Sequence, residues 1–291
     1  MAVVGANPAV APSMRRSGAA FVRRHPTLTG GLFILCALVA TAAVAPVLGL
    51  RDPIELDVIN RLKGPSAEHP FGTDMMGRSV LSRVIYGAQV SLMVGLCVAF
   101  FATLIGLVTG LLAGFVKWVD LIVMRVMDGL MAIPSVLLAI AFMALAGSSI
   151  RNIIIAITIP EIPRVTRLVR GVVMSVREQP FVEAAIAAGT RDRVLLRRHI
   201  LPTTVPPLIV QATYICAAAI ISEAYLSFLG AGVPPEIPSW GNIVAEGRAL
   251  FTVAPWTVLF PSILLALTVL AVNVVGDGLR DRLDPQMQRR M

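Results

Sequence analysis

Charged and aromatic side chains are scarce in this sequence, and hydrophobic side chains are in excess. Asp, Glu, Lys and Arg make up 14% of the 291 residues, aromatic residues 6% and hydrophobic residues 56%. Soluble globular domains average roughly 25% charged and 45–50% apolar residues. So little charge argues against a water-soluble domain, and the composition therefore predicts an integral membrane protein.

Residues that carry chemistry are equally sparse. The cysteines lie in apolar runs without a CxxC or Cys/His spacing, and the histidines are scattered; they are Cys36, Cys97, Cys216, His25, His69 and His199. This placement predicts packing rather than a disulfide framework or a metal site. The sequence also lacks a GxxxxGK[ST] motif, which is the phosphate-binding loop of many ATPases. We therefore expect no catalytic residue, no metal and no cofactor bound by this chain, and no enzyme activity of its own.

The charge balance is basic, with 25 Lys and Arg against 17 Asp and Glu. An excess of this kind can indicate nucleic-acid binding. Here the basic residues flank long apolar runs, a pattern that membrane topology explains better. We expect the chain to contact a lipid bilayer and no nucleic acid.

Six apolar runs are long enough, or nearly so, to cross the roughly 30 Å of hydrocarbon in a bilayer. They span residues 31–50, 90–116, 121–146, 150–168, 205–229 and 255–275. The first run exceeds the apolar core of about 7–15 residues in a signal peptide, so we expect an uncleaved helix. The fourth is the least apolar, because it contains Pro160, Glu161, Pro163 and Arg164. The sequence thus predicts an all-α membrane protein with six transmembrane helices.

Arginine placement predicts which side of the membrane each loop occupies. Arginines are concentrated before the first run, after the fourth run and in the tail, whereas the loops at 51–89 and 230–254 are balanced or acidic. Both termini are therefore predicted to be cytoplasmic. The predicted parts are a cytoplasmic segment 1–30, a first transmembrane helix 31–50, an extracytoplasmic loop 51–89, a core domain 90–276 with five helices and a cytoplasmic loop at about 169–204, and a cytoplasmic tail 277–291.

The loop after the fourth run has helix start and stop signals. Pro180 suits the first turn of a helix, Glu183 is favoured there by the helix dipole, and Gly189 suits a left-handed residue just past the end. Thr190 or Asp192 can cap a second short helix. We expect Pro202, which follows His199, Ile200 and Leu201, to close that second helix.

On the first of these helices, Phe181, Ala185 and Ala188 fall at i, i+4 and i+7 and form one small-residue apolar stripe. Such a helix can lie in a groove of another protein. It can equally rest on anionic lipid, which the nearby arginines favour. The residues alone leave both interpretations open.

Several blocks of this sequence resemble the permease subunits of ATP-binding cassette importers. Glu183-Ala184-Ala185, then Gly189, then His199-Ile200-Leu201-Pro202, is similar to the EAA loop of those permeases. Other matching blocks narrow the resemblance to the C-type permease of oligopeptide and dipeptide importers. They are 69–88, 128–134, 223–232 and 234–241. Departures from the family pattern are Ser79, Ile133 and the segment from Pro160 to Pro163.

The resemblance implies the type I importer permease fold in a bacterial inner (plasma) membrane, as a multi-pass protein. It implies transport of di- or oligopeptides, or alternatively of nickel, glutathione or opine-like solutes. Its expected partners are a second, non-identical permease, one or two ATPase subunits that bind ATP and Mg²⁺, and an extracytoplasmic substrate-binding protein. The residues expected to couple the chain to the ATPase are Glu183, Ala184, Ala185, Gly189, His199, Leu201 and Pro202.

Ionisable residues inside transmembrane helices usually face the bundle interior or water and are often functional. Glu161, Glu223 and Ser227 are therefore candidates either for the transport path or for helix packing, and Glu161 can pair with Arg164 one turn on. Two other hypotheses use the same residues: a membrane-embedded enzyme with Glu161 or Glu223, and a secondary transporter that moves protons through Glu223. The sequence contains no internal repeat, which speaks against the secondary transporter.

Overall fold

A computed structural model describes residues 26–283, which are predominantly helical and contain no β-strand. The predicted cytoplasmic arginines Arg15, Arg16, Arg23, Arg24, Arg289 and Arg290 lie outside the described residues. The helices are α1 Pro26–Val44, α2 Val80–Phe115, α3 Lys117–Ala132, α4 Ser135–Ala146, α5 Ile150–Arg177, α6 Pro180–Ala187, α7 Asp192–Leu195, α8 Leu201–Phe228, α9 Trp240–Gly247 and α10 Trp256–Leu283. Short 3₁₀ turns occupy Ala45–Val47, Val58–Asn60 and Arg248–Leu250, and a π-helical turn at Leu196–Ile200 joins α7 to α8.

Helix α2 begins ten residues before the predicted second span, so the last ten residues of the predicted loop 51–89 are helical. Ser79 caps α2 by accepting a hydrogen bond from the Ser82 amide. The polar residues that suggested a loop are paired within the fold. The Arg83 guanidinium meets two carboxylates, and the Gln89 amide donates to the Ala42 carbonyl. At 1.5 Å per residue, the 36 residues of α2 extend about 54 Å, which is well beyond the hydrocarbon core.

The predicted third span, 121–146, is two helices rather than one. Helices α3 and α4 meet at Ile133 and Pro134 with a bend of 89°. Proline disfavours the α conformation in the residue before it, and Ile133 is extended, with φ −96° and ψ 128°. An apolar run predicts a single helix when only hydrophobicity is considered. The conformational restriction that Pro134 places on Ile133 divides this run into two helices.

Helix α5 runs to Arg177 without a break, nine residues past the predicted end of the fourth span. Pro160 and Pro163 lie inside it. Among residues 26–283, four helices are long and apolar enough to cross a membrane, and the bent pair α3–α4 makes a fifth candidate. Helix α5 has the length, but every stretch of 18 residues in it carries at least three charged residues. The count of six spans therefore stays a prediction.

The second short helix does not close at Pro202. Helix α7 continues through the π-helical turn into α8, so that residues from Asp192 to Phe228 form one long span. Pro202 lies in the first turn of α8, where its missing N–H costs no hydrogen bond. The cap predicted from Thr190 or Asp192 is also wrong, since Arg191 is the N-cap and its side chain makes no capping bond.

The bundle is organised around α2, which packs along α5 and α8, while α10 packs along α8 and α1. Glycines allow the close approach of α2 to α5. A Cβ added at Gly106 would lie 2.4 Å from the Val165 Cβ, and one at Gly110 would lie 2.7 Å from the Val169 Cβ. Small residues of this kind are enriched where helices meet in membranes, because association there depends on packing. The contact fixes the level of α5 relative to α2.

Candidate functional site

The short helix α6 stands between the two long helices α5 and α8. Pro180 occupies its first turn, and Glu183 follows in that turn, as predicted. Gly189 adopts φ +77°, and its amide donates to the Ile186 carbonyl while the Thr190 amide donates to the Ala185 carbonyl. This pair of bonds is a Schellman motif, so Gly189 ends the helix in the way the sequence predicted.

Helix α6 is held by one deeply buried side chain. Val182 is fully buried, and Ala185 is half-buried against the core. Phe181 is exposed over 49% of its surface, and Glu183, Ala184, Ile186 and Ala188 are also exposed. The predicted stripe is exposed at Phe181 and Ala188, and Ala185 lies at its edge on the side of the buried Val182. The exposed face is composed of small and apolar residues together with Glu183.

The remaining predicted coupling residues lie at the start of α8. The ring of His199, in the π-helical turn, stacks on the Phe181 ring with 6.3 Å between centroids. Its Nδ1 is buried without a hydrogen-bond partner. Leu201 and Pro202 follow in the first turn of α8. The structure thus brings the two separated parts of the motif into contact through Phe181 and His199.

Glu223 is fully buried at the junction of α2, α8 and α9. Its carboxylate accepts hydrogen bonds from the Ser91 hydroxyl at 3.1 Å and the Ser227 hydroxyl at 2.8 Å. The Ser91 hydroxyl also accepts a bond from the Trp240 amide at 3.3 Å. These contacts join α2, α8 and α9 at Glu223, as expected of a residue that serves helix packing.

Close backbone approach surrounds Ser227 as well. A Cβ added at Gly232 would lie 2.0 Å from the Ser227 Oγ, and one at Gly241 would lie 2.6 Å from the Ala224 Cα. No side chain larger than hydrogen fits at either position without a backbone shift. The glycines in this part of the chain therefore let the segment after α8 fold back onto that helix.

A cluster of four charged residues joins the α1–α2 loop to α9, and the sequence analysis did not single it out. Asp74 accepts from Arg78 Nε at 2.6 Å and from Arg83 Nη1 at 2.9 Å. Glu246 accepts from Arg83 at 2.6 and 3.0 Å and also from Arg78. The Arg83 side chain is only 2% exposed, whereas Glu246 is 33% exposed. We call Asp74, Arg78, Arg83 and Glu246 the ion cluster.

Two signals for the ion cluster were present in the sequence. The loop and the start of α2 hold equal numbers of acids and bases, five of each in residues 51–89, and Asp74 lies four residues before Arg78. Glu246, however, is 163 residues from Arg83. No local pattern connects residues that far apart, so only the fold reveals the second carboxylate.

Aromatic side chains hold the same loop in place. Trp256 Nε1 donates to the Thr73 carbonyl at 3.0 Å, and Phe71 stacks on Phe260 with 4.0 Å between centroids. At the edge of the loop, the hydrogen bond from the Asn60 side chain holds the pKa of the Asp57 carboxyl below its usual value. The α1–α2 loop is therefore an ordered element tied to α10.

The described residues, 26–283, contain no group of three or more His, Cys, Asp or Glu side chains that could hold a metal ion. His69 is buried with its Nε2 unpaired, far in sequence from His199.

The sequence from residue 82 to 289 matches the family described as the binding-protein-dependent transport system inner membrane component. The chain belongs to that family. It is therefore a multi-pass protein of the inner membrane and the permease component of a binding-protein-dependent transport system, as the motif resemblance predicted.

Similar curated proteins are permeases as well. A probable peptide ABC transporter permease of Sinorhizobium fredii, y4tQ, is 53% identical over 268 residues, which is 92% of each chain. The dipeptide transport system permease DppC of Alkalihalophilus pseudofirmus is 44% identical over 89% of this chain and 85% of its own. The glutathione transport system permease GsiD of Shigella boydii is 42% identical over 99% of this chain and 97% of its own.

Among solved structures, the fold is similar to a chain of the MetNI methionine ABC transporter in an inward-facing conformation. The match has a TM-score of 0.56 and 20% sequence identity, and it covers 69% of this chain and 96% of that chain. The predicted type I importer permease fold is confirmed. The number of spans and the side on which each terminus lies stay predictions.

Proposed function

We propose that this permease is a subunit of an ATP-driven importer of di- and oligopeptides and that α6 is its contact with an ATPase subunit. The exposed α6 carries the proposal, because it presents small and apolar residues to solvent while Val182 is its one fully buried side chain. A helix that presents such a face suits a groove on another protein. The residues that act in this contact are Glu183, Ala184, Ala185, Gly189, His199, Leu201 and Pro202.

The partners follow from the same proposal. ATP and Mg²⁺ bind to one or two ATPase subunits, a second and non-identical permease completes the path, and an extracytoplasmic protein delivers the substrate. Relatives named for peptides and dipeptides support peptides as the substrate class, and the relative named for glutathione supports a short peptide of unusual linkage as a second candidate. With the connection containing α6 in the cytoplasm, both termini lie on that side if the chain crosses the membrane six times.

A proton-driven transporter and a membrane-embedded enzyme are less well supported. Glu223, the carboxylate of the proton-driven hypothesis and one of the two in the enzyme hypothesis, is fully buried and hydrogen-bonded to Ser91 and Ser227. Glu161, the other carboxylate of the enzyme hypothesis, accepts a hydrogen bond from Arg164. A proton-relay carboxylate needs access to water. Uptake that stops on ATP depletion and survives collapse of the proton gradient supports the importer, and the opposite result supports the proton-driven transporter.

The coupling role is tested at Gly189 with two substitutions that differ only in backbone preference. A side chain at Gly189 has open space but must adopt φ +77°, which Asn tolerates and Val does not. We expect Gly189→Val to reduce peptide uptake by the assembled importer at least tenfold and Gly189→Asn to retain about half or more. Stimulation of ATP hydrolysis by loaded binding protein should be lost with the Val variant alone.

A second pair of variants tests the acid on α6. Glu183→Ala should lower uptake and uncouple ATP hydrolysis, while Glu178→Ala, at an exposed acid just before α6, should not. Assembly is followed by copurification of all subunits. Normal uptake by both Gly189→Val and Glu183→Ala in an intact complex would show that α6 does not couple transport to ATP.

A further inference from the structure

Helices α3 and α5 share a charged face that the ATPase contact does not use. It consists of Asp128 on α3 and of Glu161, Arg164 and Arg167 on α5, and we call it the charged face. Arg164 Nη1 donates to Glu161 Oε2 at 3.3 Å, and Arg167 Nη2 donates to Asp128 Oδ1 at 2.6 Å. The side chains of Arg164, Arg167 and Asp128 are 61%, 45% and 52% exposed. The Glu161 side chain is only 14% exposed, so the charges that remain open to the outside are those of Arg164, Arg167 and Asp128.

Arg164 lies at the middle of α5. It is 14 residues after Ile150 and 13 residues before Arg177, which places it about 20 Å from either end of the helix at 1.5 Å per residue. Its neighbour Val165 packs on Gly106, so the part of α2 around Gly106 lies at the same level. That level is within the apolar stretch of α2.

The outer surface of α2 at this level is apolar. Phe100, Phe101, Leu104, Ile105 and Val108 are all exposed there. The bundle therefore has an apolar side that suits lipid and a charged side that does not. Exposed charges at this depth are costly in hydrocarbon and face protein or water instead. The charged face must accordingly point toward the partner permease or toward a water-filled path between the two.

Three arginines of α5 differ in how fully they are paired. Arg170 makes two hydrogen bonds to Asp120, one from Nε and one from Nη2, which occupies the guanidinium. Arg167 makes one short bond to Asp128. Arg164 makes one long bond to Glu161, although a guanidinium has five N–H donors. Arg164 is therefore the arginine with most capacity for a further anion.

The backbone beside Arg164 is also polar. Pro160 and Pro163 have no N–H, so the carbonyls of Ala156 and Ile159 do not receive the usual bond from four residues on. The Ile159 carbonyl lies less than one and a half turns before Arg164, whereas Ala156 is fully buried. A peptide carries both a carboxylate for the Arg164 guanidinium and N–H donors for a free carbonyl.

We propose that Arg164 binds the C-terminal carboxylate of the peptide as it passes through the permease. The proposal rests on the peptide importer function proposed above. An importer of peptides with varied side chains has few constant groups to bind, and the terminal carboxylate is one of them. Arginine binds carboxylates through two parallel N–H bonds, and this geometry distinguishes it from lysine. Arg164 is a specificity-determining residue for the transport step.

A charge series at Arg164 tests the proposal in the assembled importer, with trialanine as the transported peptide. Uptake should decrease in the order wild type, Arg164→Lys, Arg164→Gln and Arg164→Glu. Relative to the wild type, the Gln variant should be reduced about tenfold and the Lys variant by no more than about threefold. Arg151→Gln, at an exposed arginine in the first turn of α5, is the matched control and should transport normally. Equal uptake by the Arg164→Gln and wild-type importers would overturn the proposal.

Thiol labelling tests the location without any need for transport. In a Cys36→Ala, Cys97→Ala, Cys216→Ala background, Arg164→Cys should react with a membrane-impermeant maleimide, and Leu104→Cys, on the apolar side, should not. Trialanine, supplied with binding protein and ATP, should slow the reaction at Arg164→Cys. An unreactive Arg164→Cys, or loss of the second permease from the purified Arg164→Gln complex, would show instead that Arg164 contacts the partner permease.

The two proposals fail in different ways. If the wild-type importer takes up no peptide but Arg164→Cys is labelled, the peptide function is wrong and the charged face still lines a path. If wild-type uptake of trialanine is ATP-dependent and the charge series has no effect, the importer function stands and the role of Arg164 is wrong.

Discussion

The ion cluster and helix α6 place charge in opposite ways. Arg83 in the cluster is almost completely buried between two carboxylates that lie far apart in sequence, whereas Glu183 on α6 is exposed among small and apolar residues. A buried ion pair is strongly destabilising to break, because the remaining charge has no partner. An exposed acid contributes little to folding. The ion cluster fixes the α1–α2 loop to α9, whereas α6 keeps an exposed surface available to a partner.

The difference extends to the neighbouring contacts. Around the ion cluster, the Trp256 indole bonds the loop backbone and Phe71 stacks on Phe260. Around α6, Val182 is the one fully buried side chain of the helix. Elements with few buried contacts open at low free energy and are the ones that move or bind partners. The loop tied by the ion cluster is thus expected to be rigid, and α6 is expected to gain stability from a partner.

The largest effect is expected from breaking the ion cluster. Arg83→Met keeps most of the side-chain volume but removes the cation from Asp74 and Glu246, and it should lower the free energy of unfolding by about 3 kcal/mol. The measurement is unfolding of the purified chain in mixed micelles. Arg151→Met, at an exposed arginine, should change the free energy of unfolding by less than about 0.5 kcal/mol. A loss below about 1 kcal/mol for Arg83→Met would mean that the cluster is not the rigid element.

An intermediate effect is expected at the anchor of α6. Val182→Ala removes two buried methyl groups and should cost roughly 1.6 kcal/mol, at about 0.8 kcal/mol for each buried carbon group. The loss should be local and should appear as faster hydrogen exchange in α6 and in the turn that follows it. Ile186→Ala, at an exposed residue of the same helix, is the control. Exchange that accelerates equally throughout α2 would contradict the idea that α6 opens separately.

The smallest effect is expected at Asp57, on the edge of the α1–α2 loop. The Asn60 hydrogen bond lowers the pKa of the Asp57 carboxyl from 3.8, so the ionised form is favoured in the folded loop. The hydrogen bond of the ionised Asp57 therefore contributes fully to folding stability above the pKa that Asp57 has in the unfolded chain. This contribution is lost as the pH falls through the lower pKa of Asp57 in the folded chain. The stability difference between wild type and Asp57→Asn should shrink below about pH 4. A difference that does not change between pH 3 and pH 7 would rule out this linkage.

Much of the fold was predictable from local pattern, and the exceptions have physical causes. Apolar runs located every long helix, and Pro180 and Gly189 marked the ends of α6 to within a residue or two. The start of α2 was missed because Arg83 looks like a loop residue until its carboxylate partners are known. Proline breaks the helix at Pro134, where the chain bends, but Pro160 and Pro163 lie within a continuous helix. A proline in the sequence therefore does not by itself predict a helix break.

Some functional residues could be predicted from local sequence patterns, and others could be found only from the fold. The motif around Glu183 and Gly189 was recognisable from sequence because its spacing is local. The ion cluster was not, because Glu246 and Arg83 meet only through the packing of α9 on α2. The contact between Phe181 and His199 likewise depends on how α6 folds back toward the start of α8.

The sequence alone determined that this is a helical membrane protein and placed it in its permease family, because composition and short-range motifs carry that information. The tertiary structure decided which charges are buried in pairs and which remain open. Glu223 is hydrogen-bonded to Ser91 of another helix, and Arg83 is paired with Glu246 of another helix. Arg164 and α6 remain exposed. The physical reason is that burial and pairing depend on residues distant in the chain, and only the packing of the helices brings those residues together.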